Sequence, residues 1–340
     1  MVQRSRPALQ SHRDQLNCGP DARRCILEAN VDEPTMISYR LQAALRRAQR
    51  RRPGPSGSLS PSKLFPRAVA AAIAVVLIAA APAQSDRRAP IDAATQHQQA
   101  QLVDRALAAV QPAAPGHGQL YFVGFAGFGS QAVFKREVIA VRQLFDERFG
   151  TAGRSIALIN SPSTIDEAPL ATAGNLDRVL HHLGSLMEAS DTLFLFLTSH
   201  GDRGFLAVEM PGVGLDRLTS RHLKAILDRS GIKNRVVVIS ACHSGSFIST
   251  LADPTTLVIA AARADRSSFG CEDRRRWTYF GEAYFNQALR QEDSFTAAFQ
   301  RARKMIALWE ARENRIPSLP QMAGGEALAA LPMVAQRGGR

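Results

Sequence analysis

The sequence predicts an α/β fold: a three-layer sandwich with a central, mostly parallel sheet flanked by helices. Three observations predict it. Runs such as 191–199 ("DTLFLFLTS") and 235–241 ("RVVVISA") are apolar almost throughout, as strands buried on both faces must be. Between them lie longer segments with helical periodicity. The two kinds alternate along one continuous stretch, and strand–helix–strand crossovers build parallel sheets.

The elements follow in order. Residues 1–63 are rich in Arg, Pro and Ser with little periodicity, and read as a disordered basic segment. Residues 84–118 read as a helical linker, with Leu102, Val103, Ala106, Leu107 and Val110 on one face, broken by "QPAAPGHG". From 119 the alternation begins: strand 119–127, helix 130–149, strand 154–160, helix 172–189. Leu176, Val179, Leu180, Leu183, Leu186 and Met187 share one face of that last helix. Then come strand 191–199, helix 215–231 closed by a terminal Gly, strands 235–241 and 255–262, and helices near 277–291 and 293–313. These place one domain at 119–321. The chain from Pro317 is rich in Pro, Gly and Ala and reads as loose, with a flexible tail at 322–340.

Composition bounds the function. The chain has 340 residues and a formal net charge of +12, room for one large domain or two small ones. Residues 1–67 hold 13 Lys/Arg and 5 Asp/Glu, whereas residues 68–340 hold 29 and 25. The basicity therefore sits ahead of the body, and no basic patch interleaved with aromatics marks a nucleic-acid surface. No nucleic-acid partner is expected. Between them lies "AVAAAIAVVLIAAAPA" (68–83), 16 residues, short of the roughly 20 that span a bilayer. Arg52, Lys63 and Arg67 precede it and Ala81-Pro82-Ala83 resembles a cleavage site. Residues 64–83 thus read as a signal peptide or a single signal anchor, with the body exported. Of four cysteines, Cys18 and Cys25 lie in the leader. Cys242 and Cys271 remain in the body, too few for a disulfide framework.

In open parallel sheets, ligands bind beyond the carboxyl ends of the strands. Strand 191–199 delivers His200 and Gly201 there; strand 235–241 delivers Cys242, then His243-Ser244-Gly245. If the strands are neighbours, a thiol nucleophile and its proton-transfer partner project from one edge. A thiol ordinarily titrates near about 8.5, so an imidazolium, or the start of a helix after Ser244, would favour the thiolate. The N–H groups of Gly201 and Cys242 could donate to a developing oxyanion. His181, His182 and His222 read as helix-surface residues, and His243 as turned away. Ligand-type residues do not recur in paired zinc spacing, so neither metal nor cofactor is expected. "CHSGS" lacks the glycines of a serine-hydrolase elbow.

Two blocks, "TSHGDRGFL" and "SACHSGSF", resemble the His-Gly and Ala-Cys-x-Ser-Gly blocks of the legumain, or asparaginyl endopeptidase, cysteine peptidases, which have a caspase-like fold. "INSPST…TAGNLDRVL" and "AARADRSSFGCEDRRRWTYFGEAYFNQAL" extend the likeness across about 119–321, nearest to bacterial members. The resemblance implies Cys242 as nucleophile, His200 as acid/base and Gly201 as oxyanion donor. It places Ser268 and Glu282 in the primary specificity pocket, with Glu282 where the family usually has Asp. Ser240, grouped with them as substrate-binding, stands where the family often has Glu, two residues before the implied nucleophile. No residue in 128–136 aligns cleanly with the family's pocket arginine; Lys135 and Arg136 are nearby. Arg263 and Asp265, past the fifth strand, are further cleft candidates. The implied activity is cysteine endopeptidase cleavage of peptide or protein substrates after Asn or Asp, on the periplasmic side. Within the same fold, a peptide-binding member without activity and a transpeptidase or ligase are the alternatives.

Overall fold

The computed structural model describes residues 92–112 and 118–330, the side chains of 329 and 330 excepted. The 64–83 segment and the basic residues before it lie outside the described residues. No helix among those described is long and apolar enough to cross a membrane.

Helix α1 (Ala93–Ala108) is capped by Asp92, whose carboxylate accepts from Thr95 N–H at 2.9 Å. Its buried side chains are Gln99, Leu102 and Val103: Gln99 Nε2 donates to Ile165 O at 2.7 Å, and Gln99 Oε1 accepts from Leu170 N–H at 2.8 Å. There follow β1 (Leu120–Ala126), α2 (Ala132–Arg148), β2 (Ser155–Ile159), α3 (Ala173–Leu186) and β3 (Thr192–Thr198). Three two-residue strands come next, β4 (Gly201–Asp202), β5 (Phe205–Leu206) and β6 (Leu218–Thr219). The chain continues through α4 (Ser220–Arg229), β7 (Asn234–Ser240), α5 (Ile248–Leu251), β8 (Thr256–Ala260), α6 (Tyr279–Gly281), α7 (Phe295–Arg312) and β9 (Gln321–Ala323).

The main sheet runs β2-β1-β3-β7-β8-β9. Its first five strands are parallel and β9 is antiparallel to β8. Alternation along the strands separates two cores. Phe122, Phe194, Phe196, Val236, Val238 and Ile259 face α2 and α7; Tyr121, Val123, Leu193, Leu195, Leu197, Val237 and Ile239 face α3 and α4. Burial of each such side chain stabilises by about 1.5–3 kcal/mol. Phe145 of α2 centres an aromatic cluster, with ring centroids 4.3 Å from Phe194 and 4.9 Å from both Phe122 and Phe149. Phe194→Ala would cost roughly 3–5 kcal/mol by cavity formation.

The structure departs from the sequence reading in three places. The start of the expected helix 215–231 is strand instead: Leu218 and Thr219 pair antiparallel with β5, and the helix begins at Ser220 under a Thr219 hydroxyl cap. The expected helix 277–291 starts as α6 and continues as a π-helix from Glu282 to Ala288. The chain beyond Pro317 is not loose throughout. Ser318 N–H donates to the buried Glu310 carboxylate, and Gln321–Ala323 completes the sheet. A three-residue strand has no periodicity to read.

Candidate active site

Strands β3 and β7 stay in register to their last residues, where Thr198 pairs with Ser240. Ser199 N–H then donates to Ser240 O at 3.3 Å. Two residues beyond that last pair, on each chain, stand His200 and Cys242. Equal excursions from adjacent parallel strands bring both half-buried side chains to one edge of the sheet.

Gly201 shows how close the two chains run. A Cβ there would lie 2.7 Å from Cys242 O and 2.9 Å from Ala241 Cβ, so only hydrogen fits. Its neighbour His200 accepts the β5-side bond, from Ala207 N–H at 2.9 Å. Gly201 and Leu206 are therefore a non-hydrogen-bonded pair, and the Gly201 N–H points away from β5. The Cys242 N–H has no acceptor among the described residues.

Past Cys242 the chain turns sharply. His243 adopts φ +56°, the left-handed region, costing a non-glycine residue of order 1–2 kcal/mol. Backbone and ring both hold it there: its N–H donates to Arg266 O at 2.8 Å and its Nδ1 lies 3.0 Å from Ala264 O. The imidazole of His243 is thus committed to the loop after β8. The turn leads into a 3₁₀ segment, Ser244–Phe247, and the single turn of α5. The sulfur's hydrogen bonds, however, are to Ser268 and not to that helix: Ser268 N–H donates to Sγ at 3.3 Å, and Ser268 O lies 3.5 Å away.

His200 sits in a tighter frame. Its Nε2 is 2.6 Å from Gln131 Oε1; with the carboxamide oxygen accepting, Nε2 carries the proton and Nδ1 is the basic nitrogen. The rings of Phe128 and Phe134 meet the imidazole edge-on at 4.6 and 5.3 Å. Burial lowers the imidazole pKa below its ordinary value, opposed by the negative charge of Glu209. Glu209 in turn accepts from Ser130 Oγ at 2.7 Å. The imidazole is hydrogen-bonded to Gln131 and the sulfur to Ser268, not to each other.

The other expected site residues are placed as follows. Ser268 abuts the sulfur through its backbone. Ser240 is buried with its hydroxyl 3.1 Å from Thr278 Oγ1. Glu282 opens the π-helix, and its carboxylate accepts from Asn286 Nδ2 at 3.0 Å and Gln287 Nε2 at 2.9 Å. Neither nearby cation is free: Arg136 donates to the carbonyls of Asp273 and Arg275, and Lys135 to Ser163 Oγ. Arg263 and Asp265 pair with each other, at 2.6 and 2.9 Å. Sequence reasoning missed Gln131, which lies five residues past the end of β1, at the start of α2. It also missed the buried Glu137, which lies on the apolar face of α2 without a sequence signal.

Residues 173–328 match the model of the Peptidase C13 family. The match is consistent with a legumain-type cysteine peptidase. A comparison with curated proteins finds no match. The C13 segment takes in His200, Gly201, Ser240, Cys242, Ser268 and Glu282, whereas Gln131 and Glu137 precede it. The family's enzymes are cysteine-type endopeptidases, and the six-stranded, mostly parallel sheet between helical layers is the caspase-like fold expected from the two strand-end blocks. Among the described residues no group of three or more His, Cys, Asp or Glu is placed to hold a metal ion.

Proposed function

We propose that this chain is an exported cysteine endopeptidase that cleaves peptide bonds after Asn, or Asp, through Cys242 and His200. The observation that carries the reading is their common position two residues beyond the paired Thr198 and Ser240. In the proposed reaction the Cys242 thiol gives its proton to His200 Nδ1 and the sulfur bonds to the scissile carbonyl carbon. The carbonyl π pair moves to oxygen, where the N–H groups of Gly201 and Cys242 receive it. As the carbonyl re-forms, the C–N bond breaks and the imidazolium protonates the departing amine. Water, deprotonated by His200, then attacks the thioester; the C–S bond breaks, the acid is released and the thiol is restored. Gln131 keeps Nε2–H occupied, so that Nδ1 remains the exchanging nitrogen.

Preference for Asn rests on the resemblance that places Glu282 in the pocket; its carboxylate accepts from the Asn286 and Gln287 carboxamides, which a substrate Asn would replace. A substrate Asn offers the same donor. Export is supported by the basic leader ahead of the apolar 68–83 run. A mass-spectrometric cleavage profile of the full chain on a mixed peptide library tests the whole reading. Cuts after Asn that vanish in Cys242→Ala and His200→Ala are expected. Equal cleavage by Cys242→Ala would overturn the mechanism, and products joined to an added amine in place of water would assign transfer over hydrolysis.

A further inference from the structure

Beneath the two strand ends lies a carboxyl that the reaction does not use. Glu137, on α2, is completely buried, and no cation pairs with it among the described residues. Its Oε2 accepts from Thr198 Oγ1 at 2.6 Å. Its Oε1 accepts from Thr278 Oγ1 at 2.8 Å and from Thr278 N–H at 3.1 Å. The Thr278 hydroxyl also accepts from Gly281 N–H at 2.9 Å and meets Ser240 Oγ at 3.1 Å. The two partners of Glu137, and Ser240 beyond Thr278, belong to different walls of the site. Thr198 lies two residues before His200, Ser240 two before Cys242, and Thr278 caps the helix that leads into Glu282. Gly281 makes room for the group: a Cβ there would sit 1.8 Å from Glu137 Oε1.

We propose that Glu137 is a positioning residue that ties the end of β3 to the start of α6 and, through the Thr278 hydroxyl, to the end of β7, holding His200 and Cys242 in their common register. This rests on the assignment of His200 and Cys242 as the reacting pair. A carboxyl buried without a cation is costly, and a core that needed only volume would be better filled by an apolar side chain. Its three hydrogen bonds all go to segments that end in the site. Releasing them frees the strand ends, and a displacement of about 1 Å at a reacting pair costs on the order of 10²-fold in rate.

The test is a mutant cycle on the full chain, read by kcat and KM on an Asn peptide and by the rate at which iodoacetamide alkylates Cys242, located by peptide mapping. Glu137→Ala is expected to lower kcat by about 10- to 100-fold with KM nearly unchanged, and to alter the Cys242 alkylation rate. Glu137→Gln, which keeps a carbonyl acceptor for Thr278, is expected to recover most of kcat. Gly281→Ala, at an ordinary helical φ of −63°, is expected to impair kcat like Glu137→Ala by displacing the carboxyl. Combined with Glu137→Ala it is expected to add nothing, since the new methyl then has space. Folded Glu137→Ala protein with unchanged kcat and alkylation rate would overturn the proposal. So would additive losses in the double variant, which would make Gly281 and Glu137 independent packing residues. If wild-type chain cleaves no peptide, the assignment of the pair fails separately, and the alkylation arm still decides whether Glu137 sets the position of the thiol.

Discussion

His200 Nε2 and Gln131 Oε1 meet at 2.6 Å, across a sequence separation of 69 residues, and this contact orients the imidazole. Gln131 stands just ahead of α2, beyond the end of β1, so three neighbouring strand ends converge on the site. Gln131→Ala should lower kcat by about 10- to 100-fold, through loss of ring orientation, with KM little changed. Gln131→Glu should keep the acceptor while adding a negative charge that favours imidazolium. Its pH–rate profile should therefore shift its acid limb upward, which a kcat/KM titration would show.

The acid limb of wild-type kcat/KM should lie below the ordinary histidine value of 6.5, because burial holds the His200 pKa down. Glu209 works in the opposite direction, by attraction to the charged ring. Glu209→Gln should accordingly move the limb to still lower pH. A limb that moves upward instead would assign it to another group.

Two free thiols should be distinguished by one reagent. Burial, with smaller contributions from Cys242, Glu137 and Glu272, pushes the Cys271 thiol up to about 12, so at pH 8 it is almost wholly protonated. Cys242 is half-buried at the sheet edge. Limited iodoacetamide at pH 8 should label Cys242 first and abolish activity, with Cys271 unmodified by peptide mapping. Preferential labelling of Cys271 would contradict this.

Glu137 should also be visible in stability. Burial raises its carboxyl from 4.5 to about 7, against the opposing hydrogen bonds of Thr198 and Thr278. The folded chain therefore binds this proton more tightly than the unfolded chain. The resulting stability is fully present below about pH 4.5 and is lost as pH rises through 7. The full swing is roughly 3 kcal/mol. Glu137→Gln should remove this component, so the wild-type-minus-variant difference in Tm should be more favourable to wild type at pH 5 than at pH 8. Equal differences at the two values would show that the carboxyl does not titrate in this range.

The strands and long helices were legible because the side-chain periodicity that buries them is written in the apolar pattern: Leu193 to Leu197 alternates between two cores without a polar interruption. The proposed pair, His200 and Cys242, could be picked out for a related reason. Each lies where a buried strand ends, and a strand end is a sequence feature. What stayed hidden depends on contacts between distant segments. Gln131 reaches His200 only because β1 and β3 are neighbours, and Glu137 reads as one polar residue on a helix until Thr198 and Thr278 are brought to it. Strand β9 escaped notice because pairing to β8, not its own composition, makes it a strand.

The His243 turn has a consequence for what the chain tolerates. A side chain in the left-handed region is kept there by bonds to Arg266 and Ala264, so the bend that follows Cys242 is braced by the loop after β8. That same loop carries Ser268 against the sulfur. Insertions there would slacken the brace and draw Ser268 away from the sulfur together, so that loop is the stretch of chain least free to change length.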